Sequence, residues 1–186
     1  MLNSLIGIIA SSGKVAGGDY ESIATANGTG SAGTITFSSI PSTYKHLQIR
    51  GIGRTTATGG IQTTLRMRVN GYSSTYPFHR LLGNGSSASA SSSTTEVYFQ
   101  DVVSVATNSA TSNAMGAFVI DILDYANTNK NKTIRSLSGT DGNGAGEVIF
   151  GSGLYMETTA ISSITLEANG QNWTSTTSFA LYGIKG

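Results

Sequence analysis

Apolar and polar residues alternate along most of this chain with a period of two, the spacing of a strand that buries one face. Leu47 and Ile49, followed by Ile52, mark a strand over residues 46–54. Leu65, Met67 and Val69 alternate with Thr64, Arg66 and Arg68 up to an Asn70-Gly71 turn. Val97, Phe99 and Asp101 oppose Tyr98, Gln100 and Val102, while Phe118, Ile120 and Ile122 oppose Val119, Asp121 and Leu123. These two segments have apolar residues on both parities and are expected to be the central strands. Residues 20–26, 34–38, 133–140, 147–155, 161–167 and 177–184 complete the expected set.

No segment keeps a helical apolar stripe over three turns, and the abundance of Gly and β-branched residues weakens helix further. Short strands between Gly-rich turns predict an all-β fold, an antiparallel β-sandwich of jelly-roll type. The domain is expected over residues 19–186, beginning near Tyr20. Residues 1–18 read as an extended N-terminal arm, a short apolar stretch followed by Ser11-Ser12-Gly13 and Gly17-Gly18. Leu2, Leu5, Ile6, Ile8 and Ile9 are its candidate anchoring residues, to be buried on a partner or a neighbouring subunit. Residues 86–93 form a Ser/Ala tract with no large apolar side chain and are expected to be an exposed loop.

Charge narrows the function. Only 11% of residues are charged, and eleven basic side chains are balanced by ten acidic ones. Nucleic-acid binding needs a dense basic field to displace counterions, which this balance does not supply. With no Cys there is neither a disulfide framework nor a thiolate metal site. The longest apolar run, residues 5–10, is far short of the roughly 18 residues of a membrane span, so no membrane insertion is expected. It does not read as a cleaved leader either, because nothing basic precedes it and Lys14 follows it.

Sites of chemistry are sparse. Gly28, Gly30 and Gly33 match the spacing of a dinucleotide fingerprint, but Thr34-Ile35-Thr36-Phe37 follows as a strand rather than a helix, so a hairpin loop is expected. Gly142, Gly144 and Gly146 read as another turn. The two histidines, His46 and His79, are not close in sequence. Asp121 and Asp124 are of opposite parity in a strand pattern and form no close carboxylate pair. Arg50, Arg54, Arg66, Arg68 and Arg135 can line one sheet face, as a partner-binding stripe or a solvated one. Tyr72, Tyr76, Phe78 and Trp173 fall in or beside turn-rich text, and Tyr72, Tyr76 and Trp173 are the candidates for stacking on a glycan or anchoring an interface. No catalytic residue, metal site or cofactor is expected.

Several blocks go beyond composition: IPSTYKHLQIRG at residues 40–51, YPFHRLLGNGSS at 76–87, IDILDYANTNKNKTIRSLSG at 120–139 and SFALYGIKG at 178–186, with MLNSLIGIIASSG at the start. Together they resemble a family of small surface proteins of tailed-bacteriophage virions. The resemblance implies a non-enzymatic structural component on the outer surface of capsid or tail. It implies a decoration or cement protein anchored by its arm, with self-association as a homotrimer and contacts to major capsid or tail proteins. A tail-fibre or receptor-binding module for host surface glycans is the alternative it leaves open.

Overall fold

The computed structural model describes residues 18–73 and 75–186. The expected arm, with Leu2, Leu5, Ile6, Ile8 and Ile9, lies outside the described residues. The described residues form thirteen strands: β1 (Tyr20–Asn27), β2 (Thr34–Phe37), β3 (His46–Gly53), β4 (Gln62–Thr64), β5 (Arg66–Val69), β6 (Phe78–Gly83), β7 (Ala88–Ser93), β8 (Ser104–Ala106), β9 (Gly116–Ile122), β10 (Lys132–Asp141), β11 (Gly146–Tyr155), β12 (Ile164–Glu167) and β13 (Ser178–Ile184). No helix occurs among the described residues. The protein is all-β, and every ladder between its strands is antiparallel.

The main sheet has eight strands in the order β1-β13-β3-β9-β10-β11-β6-β7. A second sheet, β2-β12-β5, and a two-stranded ribbon, β4-β8, complete the fold. One half of the core is apolar throughout. Leu47, Ile49, Ile120, Ile122, Ile134, Phe179 and Leu181 from the main sheet share it with Ile35, Phe37, Met67, Val69, Ile164 and Leu166 from the three-stranded sheet. The Asn70-Gly71 turn has both residues at positive φ, 51° and 66°, and Tyr72 N–H donates to Val69 O across it at 2.8 Å.

The other half is built differently. Residues 99–106 cross the inner face of the main sheet, and Phe99, Val102, Val103, Val105 and Ala106 are buried there. Glycines make the room. A Cβ on Gly153 would stand 2.4 Å from the Phe99 ring, one on Gly151 2.5 Å from Val102 Cβ, and one on Gly116 2.5 Å from the Val105 backbone. The buried backbone of this crossing chain also needs partners. Strand β10 supplies them from inward-facing hydroxyls: Ser138 Oγ accepts from Ser104 N–H at 2.9 Å, and Ser136 Oγ donates to Val102 O at 2.7 Å. Thr140 Oγ1 lies 3.1 Å from Ser104 Oγ.

Three expectations change here. Residues 97–102 are not a central strand: Phe99 makes an isolated bridge to Met67, and Asp101 takes a left-handed φ of 60° that ends any extended run. The Ser/Ala tract is exposed but not a loop, since residues 88–93 form β7, the edge strand paired with β6. Small side chains lay down a ladder when a neighbour offers its free edge. The loop around Gly28, Gly30 and Gly33 is not a hairpin, because β1 and β2 belong to different sheets and the loop carries the chain between them.

Removing a hydroxyl that holds the crossing chain should be costly. Ser138→Ala leaves the buried Ser104 N–H without its acceptor, an expected loss of about 1–3 kcal/mol, and Gly153→Ala drives a methyl into the Phe99 ring at a similar cost of about 1–3 kcal/mol. Denaturant unfolding of both variants checks this. Wild-type stability in Ser138→Ala would show that the crossing chain does not depend on that bond.

Candidate docking surface

Strand parity fixes what the main sheet shows outward. Because Gly116, Ser136, Ser138, Gly151 and Gly153 face inward, their larger neighbours face out: Leu137, Val148 and Phe150 are 49%, 56% and 50% exposed. Ile52 and Leu81 join them from flanking strands. Register aligns these residues in two rows across the sheet. One runs Ala180, Arg50, Val119, Leu137, Phe150, Leu81, Ala90; the other runs Ser178, Ile52, Ala117, Gly139, Val148, Gly83, Ala88.

The result is one broad apolar band containing a single charged residue, Arg50. Its side chain turns aside, donating from Nε to Gln48 Oε1 at 2.6 Å and lying over the Tyr20 and Tyr182 rings at 5.5 and 6.0 Å. A shallow depression of about 680 Å³ lies within the band, between Ile52, Val119, Leu137 and Val148. Five large side chains each about half exposed present on the order of 400 Å² of contiguous apolar surface, within the roughly 300–600 Å² of the largest patch on a typical monomer, which is often functional.

The outer face of the three-stranded sheet is the opposite. It carries Thr34, Thr36, Thr165, Arg66, Arg68 and Glu167, with Thr36 and Thr165 hydroxyls 3.0 Å apart. The Arg66 and Arg68 guanidiniums stack on the Tyr98 ring at 4.9 and 4.0 Å. The five arginines therefore do not form one stripe. Arg50 and Arg135 are on the main sheet, Arg66 and Arg68 on the smaller one, and Arg54 is engaged with backbone. Its guanidinium donates to Ala114 O at 2.8 Å, Thr111 O at 3.0 Å and Ala110 O at 3.2 Å, holding the loop before β9.

Charge also collects at one end of the main sheet. A third row, Tyr182, Gln48, Asp121, Arg135, Ser152 and His79, is polar, and Gln48 Nε2 donates to Asp121 Oδ1 at 2.7 Å. Beyond it Asp124 turns at a φ of 49° and meets Lys45 Nζ at 3.1 Å and Lys130 Nζ. Its N–H donates to His46 Nδ1 at 2.9 Å. Lys130 and then Lys45 hold the Asp124 carboxyl down at about 2. Glu21 pairs with Lys185 and accepts from Tyr44 Oη at 2.9 Å, tying the first strand to the last. Lys132 is buried, its Nζ donating to the carbonyls of Thr158 at 2.5 Å and Glu157 at 3.3 Å, and burial lowers its pKa.

The aromatic residues expected at a glycan or interface contact are mostly withdrawn from the surface. Trp173 is fully buried, edge-on to Phe179 at 5.0 Å, with Nε1 donating to Leu166 O at 3.4 Å. Tyr76 is fully buried too; its hydroxyl accepts from Val69 N–H and donates to Tyr72 O, both at 3.2 Å, and burial raises its pKa. Phe78 is buried in the same core. Tyr72 is half-buried, its ring edge-on to Tyr76 and Tyr155 at 5.7 and 5.0 Å. Turn-rich surroundings did not mean exposure, because these rings point back into the core beneath their turns. Ile52, Leu137, Val148 and Phe150 were legible as strand residues, but no strand was expected over residues 78–83, so Leu81 was missed, as was the fact that the inward neighbours of Leu137 and Phe150 face a crossing chain.

Among the described residues no group of three or more His, Asp or Glu is placed to hold a metal ion, and no helix is long and apolar enough to cross a membrane. No protein-family model matches the chain, and neither does any curated protein or solved structure.

The Asp124 cluster gives a pH signature. A carboxyl lowered from 3.8 to about 2 stabilises the fold above pH 3.8, and that contribution fades as pH falls through about 2. Thermal unfolding of wild type and Asp124→Asn should therefore differ at pH 5 to 7 and converge as the solution is acidified across that window. A constant gap over the whole range would show that the two lysines do not act through the charge.

Proposed function

We propose that this chain is a structural, non-enzymatic component of a tailed-phage virion, most simply a capsid decoration or cement protein on the outer surface of the particle. The single observation that carries the docking role is the apolar band on the outer face of the main sheet, set against a fold with a polar opposite face. Large apolar side chains directed at water are disfavoured in a free subunit and become stabilising once covered. The resemblance of the sequence blocks to virion surface proteins supplies the kind of partner. On this reading the arm residues Leu2, Leu5, Ile6, Ile8 and Ile9 and the apolar band together grip the shell or a neighbouring subunit. Each bound copy then stabilises the assembled particle by mass action.

The same proposal includes the finer architecture, a β-sandwich of jelly-roll type, supported by two antiparallel sheets that share one core. It also includes assembly as a homotrimer, since closed cyclic symmetry is the common way for identical subunits to cover exposed surface. The alternative, a tail-fibre module reading host glycans, draws less support, because the buried Tyr76 and Trp173 offer no ring face to a sugar.

Two measurements test this reading. The copy number per purified particle should be of the same order as the major capsid protein; a value lower by a factor of ten or more would move the protein to the tail or a unique vertex. Phe150→Asp should weaken binding to undecorated particles by at least tenfold while leaving the melting temperature within a few degrees, because the ring is half exposed. Unchanged binding would remove the band from the interface.

A further inference from the structure

Strand β7 closes one end of the main sheet and is laddered to β6 alone. At the turn of this hairpin Asn84 N–H donates to Ser87 O at 3.1 Å. That bond fixes the alternation of the antiparallel ladder. Ser89, Ser91 and Ser93 exchange hydrogen bonds with Leu82, Arg80 and Phe78, whereas Ala88, Ala90 and Ser92 aim their N–H and C=O groups away from β6. All three are exposed, and their main-chain groups meet no protein partner among the described residues. A free edge of this kind is a template for another strand unless Lys, Pro or a bulge blocks it. β7 has none of these: it reads Ala-Ser-Ala-Ser-Ser-Ser, and its register with β6 is unbroken. We infer that β7 pairs antiparallel with β7 of a second copy, about a two-fold axis through Ala90.

The ladder itself selects the occupant. With the axis at Ala90, Ala90 meets Ala90 and Ala88 meets Ser92, so every outward N–H of β7 finds an outward C=O of the other copy. Shifting the axis to residue 89 or 91 leaves Ser92 or Ala88 without a strand partner. The facing side chains are also compatible. Ala opposes Ala or Ser on the outer face and Ser89 opposes Ser91 on the inner one, so no charge meets its like and no bulky group meets its copy.

This pairing joins the apolar bands. An axis perpendicular to the sheet keeps both outer faces on the same side, so the row through Phe150, Leu81 and Ala90 continues into Ala90, Leu81 and Phe150 of the neighbour. One band, on the order of 400 Å², is about half of the ~800 Å² that each partner gives to a standard interface. Two joined bands supply that area. The contact is additional to the ring proposed above, and the pairing does not rest on what the bands cover.

The chain has no cysteine, so single substitutions report the register without background. In a hydrogen-bonded antiparallel pair the Cα atoms are about 5.5 Å apart, inside the range a disulfide spans. Ala88 and Ser92 each lie ~13 Å along the strand from their own counterparts. Mild oxidation of the full chain should therefore link Ala90→Cys into dimers in at least fivefold higher yield than Ala88→Cys or Ser92→Cys alone. Mixing the Ala88→Cys and Ser92→Cys proteins should raise their yield to the Ala90→Cys level. Equal yields from the three single variants, or no rise on mixing, would overturn the inference. Ala90→Pro removes an N–H that β6 does not use and so spares the hairpin. It should halve the mass read by light scattering at concentrations where the wild type associates. An unchanged mass, or a wild type that does not associate at any concentration tested, also overturns it. These measurements use no particles, so their failure leaves the docking reading to the copy-number and Phe150→Asp experiments.

Discussion

The fold depends on burying residues 99–106, an irregular stretch that ends in the short strand β8, against the inner face of the main sheet. Peptide groups removed from water must be paired, and a chain that crosses a sheet obliquely cannot obtain all its partners from the ladder itself. Backbone partners come from the β4-β8 ladder, the Phe99–Met67 bridge and Leu65 N–H donating to Val103 O at 3.0 Å, and side-chain hydroxyls supply others: Ser136 and Ser138 on β10 hydrogen-bond the backbone at Val102 and Ser104. Glycines at 116, 151 and 153 let the crossing chain come close enough for those bonds to form. Hydroxyls and glycines are therefore required on a face that in an ordinary sheet would be lined with Leu and Val.

That requirement propagates outward because side chains alternate across a strand. Once β10 and β11 turn their small residues inward, whatever lies between them must face out. In this sequence those positions are Leu137, Val148 and Phe150. A protein with no use for an apolar exterior could place Thr or Lys there at no cost to the core. The presence of large aliphatic and aromatic side chains is thus not forced by the inner packing and calls for a cover of some kind. Strand parity makes the band; side-chain choice makes it a surface for contact.

Much of the strand plan was legible from apolar alternation, including β3, β9 and β13, where inward Leu, Ile and Phe obey the usual polarity. The reading failed where that polarity inverts. In β10 Ile134 faces in and Leu137 faces out, so alternation of apolar residues identifies the strand but not its faces. The segment 97–102 has strand composition and yet bends at Asp101, because its buried side chains are shaped to fill the space left by glycines on another strand, a relation local pattern does not encode. Residues 88–93 show the converse. Their composition has almost no strand preference, and the free edge of β6 is what extends them. Tyr76 and Trp173 were misplaced for a similar reason: their neighbours are turn formers, but each polar ring atom has a backbone partner inside the fold, which removes the penalty for burying it.

The distribution of charge follows the same division. Lysines and carboxylates gather at the end of the main sheet where the chain enters, pairing Glu21 with Lys185 and Asp124 with Lys45 and Lys130. Exposed pairs of this kind add little stability individually, but they set a polar boundary along one side of the apolar band. On the other flank β7 offers an uncharged edge of Ser and Ala, unlike β1, whose ladder to β13 is interrupted by a bulge near Ile23. Bulges and charges are the usual means by which a sheet edge resists further pairing. The surface is therefore polarised: closed and charged where the chain enters, apolar across the centre, and open at the β7 edge. A contact spreading from the centre of the band meets charge at the Asp124 end and at the exposed Asp141 on the opposite end of β10, and an uncharged edge only toward Leu81 and β7.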